Sequence, residues 1–412
     1  MTAAPAHAPT DSPTSPITHA RGRTRMFILL GALTSIGPLA IDLYLPALPR
    51  LAGDLGASAS AAQLSLTSFM VGLGTGQVVV GPLSDAFGRR RPLLIGFAAF
   101  CAVSALCAIS PSIEALVALR LLQGLTAATG VALTKAVVRD LYGGVEAARF
   151  FSMLMLVTGL VPLTAPLLGA QLLRVVPWPG LFGVITATGG LLWLTALLAL
   201  PETHPPHLRT GTAPGAVARS MIAVLRHRRF MALTLTAAFA SGAMFCYISG
   251  ASFVLQEVYG LSPQGFGVLF GVNSAGMIIT GQLAGRLAGR VSMRLMLATG
   301  LALSAAAGLL LLVAALAGLG LPVVMVALFL MTSGQGMIYP MALTLAMSSQ
   351  PTSRAGSASA LFGLVQWVTG GITGPISGAF GTGTMVPLAV TVAVMSLAGG
   401  LSGGVLLRRT HS

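Results

Sequence analysis

The chain has 412 residues, of which 55% are hydrophobic and only 8% charged, where an ordinary soluble domain carries about 45–50% and about 25%. With a mean hydropathy of +0.88 and with 51 Gly and 24 Pro, that deficit of charge excludes a soluble globule and fits a chain that faces lipid. The formal charge of +14, from 23 basic and 9 acidic residues, includes no basic run interleaved with aromatics, so it points to membrane orientation rather than to nucleic acid.

Residues 1–25 are rich in Pro, Ala, Thr and Ser and end among three arginines. Such a composition buries no core, and a disordered cytoplasmic tail is expected. The apolar stretch that follows is too long for the core of a signal peptide and reads as a retained first span. Runs of about 17–25 apolar residues, bounded by charge or turn residues, occur at 26–47, 61–83, 92–110, 114–138, 150–173, 180–200, 230–256, 265–286, 292–317, 321–347, 356–379 and 383–407. They predict twelve spanning helices with both termini on one face. Twenty of the 23 basic residues then fall on that face, Arg50 and Arg174 fall on the other, and Arg120 lies within the membrane. This bias predicts cytoplasmic termini, and a missed span would scatter the arginines over both faces.

The longest interior polar segment, 201–229, divides the chain into an N-terminal bundle over 26–200 and a C-terminal bundle over 230–412. Within it, Ala218–Arg229 is basic and amphipathic and is expected to lie along the cytoplasmic lipid surface. The halves echo one another, as in transporters built from repeats. Gly81-Pro-Leu-Ser-Asp85-Ala-Phe-Gly88-Arg89 after span 2 recurs loosely as Gly281-Gln-Leu-Ala-Gly285-Arg-Leu-Ala-Gly289-Arg290 after span 8, and Ala165-Pro166-Leu-Leu-Gly169-Ala170 recurs as Gly374-Pro375-Ile-Ser-Gly378-Ala379. The expected fold class is an all-α polytopic membrane protein.

Chemistry inside the spans is sparse. Arg120 sits about six residues inside the outer end of span 4; a charge at that depth either faces the bundle interior with a partner or snorkels. Asp42, the one carboxylate well inside any span, sits about five residues inside the outer end of span 1, at nearly the same height given a rise of about 1.5 Å per residue. The two are expected to pair across the N-terminal bundle. Desolvation opposes the charge on such a carboxylate while a nearby cation favours it, so Asp42 is either a proton carrier or half of a static ion pair. All six histidines, His7, His19, His204, His207, His227 and His411, lie in tails or the central segment, which excludes intramembrane His-based metal or catalytic chemistry. His204-Pro-Pro-His207 supplies only two ligands on a Pro-rich loop. With no phosphate-cradling Gly-x-x-x-x-Gly-Lys loop, the chain is not expected to be an enzyme or to use a cofactor or metal, and an ion gradient must supply its energy.

Gly81-x-Leu83-x-Asp85-x-x-Gly88-Arg89-Arg90-Arg91 resembles the signature loop of the major facilitator superfamily, and the likeness covers essentially everything after residue 25. Arg120-Leu-Leu-Gln123-Gly124 resembles that family's proton-linked span-4 motif. Ile41-Asp42-Leu-Tyr44-Leu-Pro46-Ala-Leu-Pro49, Arg139-Asp140 and Phe253–Pro263 resemble its Bcr/CflA branch of drug:proton exporters. Span 5 is similar to the antiporter signature Gly-Pro-x-x-Gly-Gly, with Ala165 and Ala170 at two glycine positions; Gly370-x-x-x-Gly374-Pro375-x-x-Gly378 keeps the pattern better.

The resemblance implies two pseudo-symmetric six-helix bundles that rock about a central cavity. It implies conformational control by Gly81, Asp85, Gly88 and Arg89, with Asp85 near the start of span 11 and Arg89 paired with Asp140; Arg90 and Arg91 would serve as anchors. Pro166, Gly169, Gly374 and Pro375 would form a rocking interface or ordinary packing. Asp42 and Arg120 would couple protons. Substrate would meet Tyr44, Gln123, Tyr247, Asn273 and Trp367 first, then Met244, Phe245, Gln335, Tyr339 and Gln366. The function implied is proton-driven efflux of drug-like molecules by H⁺ antiport across the inner membrane, with a proton-coupled exporter of an amino acid or other small metabolite fitting the same residues. A channel or sensor would need a continuous polar pore face or an added domain, and the sequence has neither. Expected partners are protons, a small amphiphilic substrate and the lipid bilayer, with no nucleic acid and the chain acting as a monomer.

Overall fold

The computed structural model describes residues 20–142, 144–206, 209, 214–351 and 354–408. Twelve long helices dominate: α1 Ala20–Asp42, α2 Ala59–Phe87, α3 Arg90–Ala108, α4 Ile113–Leu141, α5 Gly144–Leu172, α6 Trp178–Ala199, α7 Arg228–Phe253, α8 Pro263–Leu287, α9 Met293–Leu316, α10 Leu321–Met347, α11 Ala355–Ala379 and α12 Val386–Arg408. Serine starts four of them: Ser58, Ser112, Ser262 and Ser292 each accept a backbone N–H from the first turn of α2, α4, α8 and α9. Such a bond satisfies one of the donors that a helix start leaves free.

Ten of these helices are long and apolar enough to cross a membrane. The other two are α5, which contributes the apolar stretch Val157–Leu172, and α11, which carries Gly, Ser, Thr and Gln along its length. Large apolar side chains point outward in every part of the molecule, Ile95 at 71% exposure and Leu198 at 78% among them. Water would not tolerate that surface, and lipid does.

Helices α1–α6 form one bundle and α7–α12 the other. Across the seam α2 packs on α11 and α5 on α8. The pairs are equivalent under the repeat, and so are two turns: Gly88 after α2 and Gly289 after α8 have φ of +88° and +90°.

Three local readings change. First, α1 begins at Ala20, so Ala20–Arg25 are helical rather than tail, while residues 1–19 lie outside the described residues. Second, span 1 is not one continuous helix. It stops at Asp42 and continues as a 3₁₀ turn, Leu45–Ala47, and a short helix, Leu48–Asp54, because Pro46 and Pro49 bring no N–H and disfavour the helical region before them. Third, the amphipathic helix of the central segment runs Pro214–Leu225, and Arg228 and Arg229 already belong to α7. That helix packs on α11 and α7, with Val224 buried beside Phe230 and Ala358.

Candidate functional site

The ends of α2 and α4 place Asp85, Arg89, Arg139 and Asp140 on one face of the molecule, here the basic face. At the opposite face the bundles are joined. Ser60 Oγ donates to Pro375 O (2.9 Å), Ser252 Oγ to Leu45 O (2.6 Å), Gln256 Nε2 to Pro46 O (3.2 Å) and Gln264 Nε2 to Ala170 O (2.8 Å). At the basic face they part around a cavity of about 820 Å³, lined among others by Gln77, Gly81, Asp85, Lys135, Arg139, Ser220 and Ser357. The molecule is therefore shut opposite and open at the basic face.

The signature loop sits at the mouth of this cavity. Arg89 Nε lies 2.9 Å from Asp140 Oδ2 and Nη1 lies 2.5 Å from Asp85 Oδ1 and 2.7 Å from Ser84 Oγ. Burial acts against the Arg89 charge, but the hydrogen bonds and charges of Asp140 and Asp85 outweigh it and hold the guanidinium above its ordinary range. Asp85 thus bonds Arg89 while sharing the cavity with Gly356 and Ser357 at the start of α11, and the Arg89–Asp140 pair exists with the mouth open. Opening leaves the pair intact, so it braces the loop and is not a latch that opening releases.

The sequence reading missed Glu202, beyond α6. Its carboxylate accepts the Arg89 and Arg90 backbone N–H groups at 2.8 and 3.3 Å, and Arg209 lies 4.0 Å away. A carboxylate at a helix start is favoured by the dipole, and the acidic residue following the sixth span was the available signal. Gly88 is required here twice over, by its φ and because a Cβ would fall 2.5 Å from Glu202 Oε2. His204 is described but His207 is outside the described residues, and no metal-holding cluster of His, Cys, Asp or Glu occurs among those described.

Arg120 is fully buried, and it does not pair with Asp42. Its guanidinium stacks over Phe69 at 4.2 Å, Tyr44 at 4.7 Å and Phe182 at 5.8 Å. Nη1 donates to Gln123 Oε1, Nε donates to Ser65 O at 3.4 Å, and Nη2 has no partner. Gln123 in turn donates to Ser104 Oγ at 2.7 Å, and the Tyr44 hydroxyl meets Ser65 Oγ at 3.0 Å. Tyr44 and Gln123 are 0% exposed, so both serve to hold Arg120 inside the bundle and neither lines the cavity.

Asp42 has no ion-pair partner among the described residues. At the broken end of α1 it is 4% exposed, and its carboxylate interacts electrostatically with Tyr247 of the other bundle. The Tyr247 hydroxyl accepts from Asn273 Nδ2 at 2.8 Å, its ring stacks on Phe270 at 5.5 Å, and Asn273 Oδ1 has no partner. Trp367 lies 5.3 Å from Phe245, ring to ring, and close to Gly74 across the seam. Gln335 is spent on Ala240 O, and Tyr339, 41% exposed, sits edge-on to Phe362. Met244 is partly buried and Gln366 buried.

The small residues divide by role. A side chain at Gly169 would strike Leu43 O, in the break just after α1, and one at Gly374 would strike Ser249 Oγ of α7. Both glycines therefore allow close approach within a bundle; they are not counterparts in the repeat, since Gly169 aligns with Gly378, where a Cβ would meet Gln63 of α2 across the seam.

Residues 28–375 match the family model of the Major Facilitator Superfamily. The MFS-type transporter YdgK of Bacillus subtilis is 42% identical over 92% of this chain and 94% of its own, and the bicyclomycin resistance protein homolog of Haemophilus influenzae is 30% identical over 90% and 93%. Among solved structures, a bacterial homolog of the human lysosomal transporter Spinster, inward-facing and unoccupied, superimposes with a TM-score of 0.73 at 16% identity over 94% of this chain and 98% of that one. The D-xylose–proton symporter does so with a TM-score of 0.73 at 16% identity, over 93% and 96%. These are transporters, not enzymes, and the chain is a multi-pass membrane transporter of the Major Facilitator Superfamily, in its Bcr/CflA-type branch.

Proposed function

We propose that the protein is a proton-driven exporter of drug-like small molecules, working by antiport across the inner membrane with both termini and the basic face cytoplasmic. The observation that carries this reading is Asp42: a buried carboxylate without an ion-pair partner among the described residues, at a helix break and within electrostatic reach of Tyr247 in the other bundle. A group so placed can exchange a proton while the bundles move past it, and Arg120, caged without a carboxylate, supplies a fixed positive field in the same bundle. The basic face, holding most of the arginines, is the cytoplasmic one by charge bias. Trp367 and Phe245 present partly buried aromatic faces near the seam that suit amphiphilic molecules, while Tyr247 and Asn273, each 1% exposed, meet substrate only once the bundles rearrange. The bicyclomycin resistance protein homolog and the chloramphenicol resistance protein of Pseudomonas aeruginosa, 32% identical over 63% of this chain, favour antibiotics over metabolites. Susceptibility and excretion profiling of an efflux-deficient bacterial host expressing the protein tests this. Raised resistance that collapses with the proton gradient is expected; unchanged resistance with altered amino-acid excretion would replace drugs by a metabolite.

A further inference from the structure

The two helices that carry the proline motif, α5 and α11, each lose a donor. Pro166 and Pro375 have no N–H, so the carbonyls four residues earlier, Pro162 O and Gly371 O, lose their usual partner in their own helix. At membrane depth a freed carbonyl must be satisfied by a neighbour. In both halves that neighbour is a hydroxyl of the opposite bundle: Ser274 Oγ on α8 donates to Pro162 O at 3.2 Å, and Thr67 Oγ1 on α2 donates to Gly371 O at 2.5 Å. The acceptors are equivalent under the repeat and so are the helix pairs, α2 standing to α11 as α8 stands to α5, while the donors differ in position, Thr67 aligning with Gly267 rather than with Ser274. Close packing lets short side chains reach backbone: a Cβ on Gly371 would lie 3.3 Å from Thr67 Cγ2 and one on Gly271 3.2 Å from Leu163 O.

We propose that Thr67 and Ser274 are positioning residues of the transport cycle: each holds a proline-freed carbonyl of the other bundle only while the outer face is shut, and together they set how much of the carrier waits open to the cytoplasm. Donor and acceptor behave differently on separation. The Thr67 hydroxyl has Gln63 O, one turn back, at 3.3 Å as a fallback. The carbonyls, their usual helix partner lost to proline, depend on water, which reaches them once the outer face opens. Opening thus exchanges two protein bonds for two hydrated carbonyls, and each exchange shifts the populations by roughly 2- to 10-fold. The contacts of Ser60, Ser252, Gln256 and Gln264 remain in such variants, so the seam is retuned rather than dismantled.

The test uses the full-length protein in nanodiscs, in a Cys101→Ser background, with paired spin labels on the outer α1–α2 and α7–α8 connections. It needs neither substrate nor proton gradient, so it stands apart from the export reading. Thr67→Val and Ser274→Ala are each expected to raise the outward-open fraction about 2- to 10-fold, and the double variant by about the product. Thr67→Ser should restore the wild-type distribution. Thr126→Val, whose hydroxyl bonds only its own helix, should leave it unchanged. If Thr67→Val does not fold, Thr67→Ala replaces it. Wild-type populations in folded Thr67 and Ser274 variants would overturn the proposal, as would a Thr67→Ser variant that behaves like Thr67→Val.

Discussion

Replacing Asp42 by Asn distinguishes the arrangement seen here from the ion pair that the sequence suggests. Removing one partner of a buried ion pair costs about 3–5 kcal/mol, because it strands the other charge. For domains of bundle size that would lower the melting temperature by about 6–20 °C. The structure implies a different figure: Arg120 rests on Phe69, Tyr44 and Phe182 and on Gln123 and Ser65, none of which the substitution touches. Asn is close to Asp in shape, so stability should stay within about 0.5 kcal/mol of wild type. Transport driven by a pH gradient should nevertheless be lost, since the titratable group is gone. The measurements are a thermal melt of purified protein and ΔpH-driven export from proteoliposomes of a compound to which the wild type confers resistance. A melting point lowered by 6 °C or more, by the arithmetic above, would show that Asp42 and Arg120 are energetically paired after all; full ΔpH-driven export would show that the proton travels elsewhere.

Arg120→Lys should impair transport and stability almost as much as Arg120→Ala. An ammonium cannot lie flat among three rings while donating to Gln123 and Ser65, and the loss should reach about 2–4 kcal/mol in melts. Asp85→Asn should leave substrate affinity in detergent intact while lowering transport, because Asp85 lies at the cavity mouth far from Asp42; lost binding with wild-type cysteine accessibility near residues 140 and 354 would make it part of the site. Gly88→Ala should cost about 1–2 kcal/mol from its positive φ alone and should also loosen the Glu202 contacts, seen as a lower melting point and faster proteolysis of the central segment.

Much of the architecture is legible in the sequence because bilayer thickness imposes a length on every span. The Arg89–Asp140 contact was legible too, through a loop whose residue types recur with their geometry. What failed was azimuth. Asp42 and Arg120 share a height, but successive residues on a helix are rotated by about 100°, so height alone leaves the facing direction open. Asp42 lies at the break in α1, within electrostatic reach of Tyr247 and without a bond to Arg120. Tyr44 and Gln123 looked like cavity residues because polar groups in apolar helices draw attention, yet their partners were other polar groups of the same bundle. Thr67 and Ser274 gave no sign of their role, since a hydroxyl one turn from its own carbonyl usually bonds there.

The central segment behaves as a leash. Arg209 is held to Glu202 and to His204 O on the N-terminal bundle, whereas the helix beginning at Pro214 is seated on the C-terminal one. Five residue steps separate these moorings, and no polypeptide of that length reaches beyond about 17 Å. While Arg209 keeps these contacts, chain length sets a soft stop on the gape of the cavity mouth, and lengthening residues 210–213 would relax it without altering any residue that touches substrate or proton.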